Sequence, residues 1–246
     1  MTKVLIVLSA ADNWTRADGS LYPTGVWAQE FVDIDERLVD AGYQVDLASP
    51  AGKAPTMDAK SLDHEYVGAE LAATMNAYLA KNEERLKHPL VLADVSASDY
   101  DAIIVPGGHG PVEDLYCDAD AGRLLVDAQN EGKIIGAVCH GPAALLAAQD
   151  DSGRWPFAGR KITALTDEEE IEFGTAENAP WLLAATLREK GADFQQGPNW
   201  DVYVVQDANL ITGQNPQSSA ALADAVIEAL EGGFTTSSKD AELTTD

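Results

Sequence analysis

The chain has 246 residues, 46% of them apolar, which is enough to bury the core of one large α/β domain or two small ones, and we read one compact domain. Sixteen Lys and Arg against 41 Asp and Glu give a formal net charge of −25, a field that repels nucleic acid, anionic membranes and highly anionic substrates. Two cysteines exclude a disulfide scaffold, and no apolar run approaches the roughly 20 residues of a membrane span.

Residues 3–8 are almost continuously apolar and predict a buried parallel strand. No charged leader or apolar signal region precedes them, so a reducing cytoplasm is the expected compartment. A helix is predicted over 27–41, stopped by Gly42, with Trp27, Phe31, Ile34 and Leu38 as its buried stripe. Glu30 and Asp35 border that stripe, and of the two only Glu30 lies in the first turn. A strand follows at 44–48. The long stretch 50–98, helical near 69–87, exceeds an ordinary connection and reads as a cap or an interface element.

Further strands are predicted at 101–105, 133–138 and 161–165, with helices at 121–131, 141–149 and 181–190. Residues 201–206 and 210–212 read as a hairpin, and 218–230 as a final covering helix. The alternation implies a flavodoxin-like three-layer α/β sandwich, with a mostly parallel central sheet, a small hairpin and a cap-like insertion. A single domain over 1–232 is expected to leave a disordered acidic tail at 233–246.

Ala137-Val138-Cys139-His140-Gly141 joins an apolar strand to a predicted helix, the layout of a nucleophile elbow. Such a turn lifts the central side chain out of the sheet at the carboxyl edge, where open α/β sheets place their ligands. A following helix N-terminus would favour a thiolate. Pro106-Gly107-Gly108-His109-Gly110 forms a second loop of this kind at another strand end, its glycines free to turn amides into a crevice. His140 is either the base that keeps the thiol ionised or the donor of an oxyanion amide. One of Asp167, Glu168, Glu169 and Glu170 is positioned to orient it. Glu30, at the opening of a βαβ helix, reaches the same edge; partly desolvated, it would hold its proton near neutral pH and act as a general acid or base.

Cys117 has no comparable setting. The scattered His64, His88 and His109, taken with Glu65 or Glu113, match no zinc signature, and no G-x-G-x-x-G follows the first strand. Neither a metal nor a nucleotide cofactor is therefore expected.

These residues together resemble the ThiJ/PfpI family of the class I glutamine amidotransferase-like superfamily, particularly its heat-shock chaperone and glyoxalase III branch. The likeness runs from Lys3 to about Leu230. It is carried by the Pro106 to Gly110 loop, the elbow with Pro142, the helix around Glu30, the Thr166 to Glu170 stretch and Thr212 to Pro216. The resemblance implies that Cys139 is the nucleophile, His140 its partner and Glu30 the acid beside the thiol, with Gly108 and His140 offering oxyanion amides. It implies a third triad member after the next strand, for which Glu170 aligns best and Glu169 is the reserve. In this branch the cysteine adds to the aldehyde of methylglyoxal, and water releases D-lactate without glutathione or metal. A holdase chaperone, a protein deglycase and a cysteine peptidase or amidohydrolase are the alternatives within the family, and relatives are often homodimers. Ala137 stands where the general motif has glycine. No His-x-Glu pair occurs near the final hairpin, which disfavours glutamine hydrolysis. Some members carry a site of two histidines and one carboxylate for a metal, for which the sequence offers no equivalent.

Overall fold

A computed structural model describes residues 1–232, so the expected tail at 233–246 lies outside the described residues. The chain opens with β1 (Lys3–Val7) and a small antiparallel pair, β2 (Asn13–Thr15) and β3 (Leu21–Pro23), then α1 (Ala28–Asp40) and β4 (Gln44–Ser49). The insertion holds α2 (His64–Val67), α3 (Ala69–Lys81), α4 (Glu83–Lys87) and β5 (Leu90–Val91). It is followed by β6 (Ala102–Val105), α5 (Ala119–Asn130), β7 (Ile134–Val138), β8 (Lys161–Ile162), α6 (Asp167–Phe173), α7 (Leu183–Glu189) and β9 (Asp193–Phe194). The last elements are β10 (Val204–Asp207), β11 (Leu210–Gly213) and α8 (Ser219–Gly232).

Seven strands form the central sheet in the order β10-β11-β7-β6-β1-β4-β5, and every neighbouring pair is parallel except β10 with β11. The five inner strands, from β4 to β11, follow the flavodoxin-like order 2-1-3-4-5. Period-two alternation along buried strands divides their side chains between two cores. Val4, Ile6, Ala102 and Ile104 pack under α1 and α8, whereas Leu5, Val7, Ile103 and Val105 pack with α5 and α7 on the other face. Each Leu, Ile or Phe fully removed from water in these layers contributes about 1.5–3 kcal/mol.

Two expectations are corrected. The apolar run 161–165 forms only the short β8, which pairs with β9 in a separate two-stranded sheet; β11 takes the place beside β7. The segment after the elbow, Gly141–Ala147, is a 3-10 helix. The Leu145 carbonyl is taken by the Trp155 indole at 2.7 Å and by Ala148 N at 3.2 Å, and Ala148 turns to extended geometry, which ends the winding. The predicted hairpin is present as β10 and β11, and these two strands complete the main sheet.

The insertion is tied down rather than loose. Val26 N donates to Thr56 O and Asp58 N to Val26 O, both at 2.8 Å, and α3 buries Met75 against the α1 side of the core. Asp35, fully buried on α1, pairs with Arg85 of α4 at 2.8 and 3.0 Å and accepts from the Tyr78 hydroxyl at 2.8 Å. No helix among the described residues is long and apolar enough to cross a membrane.

Candidate active site

β7 ends on Cys139, whose φ of 59° lies in the left-handed region that a side chain with a Cβ avoids at a cost of about 1–2 kcal/mol. The turn is held from both sides: Cys139 N donates to Gly213 O at 3.0 Å, and Cys139 O accepts from Leu165 N at 2.9 Å. The expected elbow is thus present, clamped between the end of β11 and the segment that leads from β8 to α6. The loop after β6 fits against it with no room to spare. A Cβ on Gly107 would lie 2.6 Å from His140 N, and one on Gly108, at φ 85°, would lie 2.2 Å from Gly25 O. Gly107 is therefore required for the two loops to meet, and Gly108 for the glycine loop to pass the segment that leads into α1.

Glu30 projects from the first turn of α1 into this junction, as its place on the helical stripe predicts, and is fully buried. Its Oε2 accepts the Gly107 amide at 2.6 Å, while Oε1 has no hydrogen-bond partner among the described residues. Burial pushes the carboxyl from 4.5 up to about 8, against the lowering effects of the Gly107 amide and the Cys139 thiol. Burial also pushes the Cys139 thiol well above its ordinary value, with Glu30 adding to the rise and the Gly108 amide opposing it. Burial and Glu30 both oppose the thiolate that the sequence leads one to expect. No α-helical N-terminus stands behind the sulfur, and the carboxyl beside it repels a thiolate unless it holds its own proton.

His140 Nδ1 lies 3.6 Å from Cys139 Sγ, and its Nε2 lies 2.6 Å from Glu170 Oε2. Glu170, in the first turn of α6, also meets His109 Nε2 at 2.7 Å through Oε1, which accepts from the Thr175 hydroxyl as well. Burial would raise the Glu170 carboxyl, but the two imidazoles together outweigh it and hold the group well below the usual carboxylate range. Glu169, the reserve candidate, points elsewhere. Its Oε2 closes a capping box with Thr166, and its Oε1 accepts from Trp200 N, Gln214 Nε2 and Asn215 Nδ2 at 2.8–3.1 Å.

Sequence reasoning set His109 aside, whereas the fold brings its ring to 4.3 Å from that of His140. The signal was its place in the glycine loop that faces the elbow. His64 and His88 lie exposed on the insertion, and Cys117 is exposed at the end of a 3-10 turn. The expectation that the chain lacks two histidines and a carboxylate in metal-binding proximity is also corrected. The donor atoms of His109, His140 and Glu170 lie within 4.8 Å of one another, although the bonds observed run between those donors themselves.

In front of the sulfur opens a pocket of about 590 Å³. Trp27, Phe173 and Trp200 give it an aromatic wall, and Tyr66, Val67 and Leu71 of the insertion close one side.

A parallel sheet that ends a central strand on a strained cysteine is a scaffold for covalent chemistry at sulfur. The chain belongs to the DJ-1/PfpI family, whose model matches residues 21–229. It is 30% identical to "Glyoxalase 3" of Candida albicans, over 94% of this chain and 99% of that protein. It is 29% identical to "Glutathione-independent glyoxalase HSP31" of Saccharomyces cerevisiae, over 93% of this chain and 98% of that protein. Among solved structures, glyoxalase III from Candida albicans superimposes with a TM-score of 0.80 at 28% identity, covering 93% of this chain and 97% of that one.

Proposed function

We propose that this protein is a glutathione-independent glyoxalase that converts methylglyoxal and water to D-lactate through a hemithioacetal on Cys139. The observation that carries the reading is the sulfur's setting: a buried carboxyl with a free Oε1 on one side, and on the other an imidazole oriented by Glu170. The likeness to two glyoxalases over nearly the whole chain supports the same reading.

At neutral pH Glu30, pushed up to about 8, is mostly undissociated and offers its O–H to the sulfur, so that a thiolate forming there meets a donor instead of a charge. As the sulfur bonds to the aldehyde carbon, the thiol proton passes to His140 Nδ1 and then to the aldehyde oxygen, giving the hemithioacetal. The Gly108 and His140 amides stabilise that oxygen while it carries charge. His140, which lines the pocket, then removes the hydrogen from the first carbon and returns it to the second. The hydroxyl proton moves to the second oxygen, which leaves a thioester carbonyl on the first carbon and a hydroxyl on the second. Water breaks the thioester, and the thiol is restored. No external oxidant or reductant enters, because one carbon is oxidised as its neighbour is reduced.

The test is incubation of purified protein with methylglyoxal in the absence of glutathione, with D-lactate measured and Cys139→Ser as control. Wild-type protein with a titratable thiol and no D-lactate would overturn the reading. A deglycase would use the same sulfur, and faster release from an arginine or cysteine adduct than from free methylglyoxal would favour that alternative. A cytoplasmic homodimer belongs to this reading, and sedimentation of the purified protein decides the oligomer.

A further inference from the structure

Glu170 spends its two oxygens on two different imidazoles, His140 through Oε2 at 2.6 Å and His109 through Oε1 at 2.7 Å. An ionised carboxylate only accepts, so both Nε2 atoms carry hydrogen, and the neutral form of either ring has its lone pair on Nδ1. His140 turns that lone pair on the sulfur. His109 Nδ1 has no hydrogen-bond partner among the described residues, and its ring lines the pocket. The ring is also fixed in place, stacked on Trp14 at a centroid distance of 4.8 Å and edged by Tyr22 at 5.8 Å. Burial first, and then the neighbouring His140, push its pKa down, which keeps the lone pair free near neutral pH.

Thioester hydrolysis runs in two stages: a base takes a proton from the attacking water as the tetrahedral adduct forms, and an acid protonates the sulfur as that adduct collapses. Glu30 and His140 both stand at the sulfur. Among the described residues that line the pocket, His109 is the other imidazole, with an Nδ1 not engaged by the protein. We infer that His109 is the general base of the hydrolytic half-reaction, a role that rests on the glyoxalase reading above. Water oxygen bonds to the thioester carbonyl carbon while one of its protons passes to His109 Nδ1. The carbon–sulfur bond then breaks with its electron pair on sulfur, which takes a proton from Glu30. The acid leaves as lactate, its proton going to solvent, and the proton on His109 returns through solvent to Glu30.

The experiment is His109→Gln, whose side-chain amide still donates to Glu170 but offers no imidazole. We expect one equivalent of methylglyoxal to be consumed rapidly, followed by steady turnover about 100-fold below wild type. A Cys139 thioester should accumulate that hydroxylamine releases as a hydroxamate, whereas the rate of iodoacetamide alkylation stays that of wild type. His109→Gly, checked for fold by circular dichroism, should recover hydrolysis when imidazole is added. Undiminished turnover, or lost turnover with no thioester and no rescue by imidazole, would overturn the assignment. Wild-type protein that makes no lactate would sink the glyoxalase reading itself, whereas normal lactate formation with a fully active His109→Gln variant would sink this inference alone.

Discussion

Glu30 accepts the amide of Gly107 at 2.6 Å, and this one bond joins the first turn of α1 to the glycine loop that faces Cys139. It fixes which oxygen of the carboxyl remains for Cys139. Glu30→Gln keeps an acceptor for Gly107 but loses the titrating proton. We expect D-lactate formation to fall at least about 100-fold, with the step in the rate profile near pH 8 abolished. A pH–rate series on both proteins checks this, and an unchanged profile would remove Glu30 from proton transfer.

The same carboxyl makes stability depend on pH. Its folded value, about 8, exceeds its ordinary 4.5, so between those limits the native state binds more protons than the unfolded chain and stability falls as pH rises. At about 1.4 kcal/mol per pH unit the Glu30 contribution is on the order of 4–5 kcal/mol, fully lost above pH 8. Urea unfolding of wild type and Glu30→Gln at pH 5.5 and 8.5, conditions chosen to bracket roughly that window, should show the variant gaining stability relative to wild type at the higher pH. Parallel losses in both proteins would contradict it.

Glu169 and Glu170 should separate into stability and activity. Glu169→Ala removes the capping box and three further accepted bonds from Trp200, Gln214 and Asn215, which should cost roughly 2–3 kcal/mol in thermal unfolding. Glu170→Gln leaves those contacts intact, keeps an acceptor for one imidazole and removes the charge and the second acceptor. Its expected signature is a drop of about 100-fold or more in kcat with a smaller change in melting temperature. The reverse pattern would exchange their roles.

Arg85 holds the insertion to α1 through Asp35, which is fully buried and pairs with no other cation among the described residues. Arg85→Ala strands that carboxylate, and we expect a loss of about 2–3 kcal/mol, reduced from the cost of a wholly buried pair because Arg85 is about one-third exposed. Since Tyr66, Val67 and Leu71 close the pocket from the same insertion, KM should rise more than kcat falls. A stability loss with unchanged KM would show that the insertion closes the site without help from this pair.

Much of this molecule is written in local pattern. Continuous apolar runs located β1, β4, β6 and β7, and the wheel of α1 placed Glu30 at the edge of its buried stripe because helical period and burial are both local properties. The Thr166 to Glu169 spacing is itself a capping-box signature, a purely local cue that tells Glu169 from Glu170. Other features depended on which distant segment arrived where. Residues 161–165 are as apolar as a core strand, yet the place beside β7 went to β11, and hydrophobicity cannot rank two competitors for one row of hydrogen bonds. Gly141-Pro142 opens a helix-like sequence, but the Trp155 indole claims the Leu145 carbonyl and helps to keep the turn tight.

The sequence by itself determined the elbow, the glycine loop opposite it and the acid of α1, because each is specified by neighbours within a few residues. Only the tertiary structure decided that Glu170 serves two imidazoles, that His109 joins the site and that the thiol and the Glu30 carboxyl are buried together. Those are properties of burial and of ångström distances between chain segments 30 to 61 residues apart, and no local spacing encodes them.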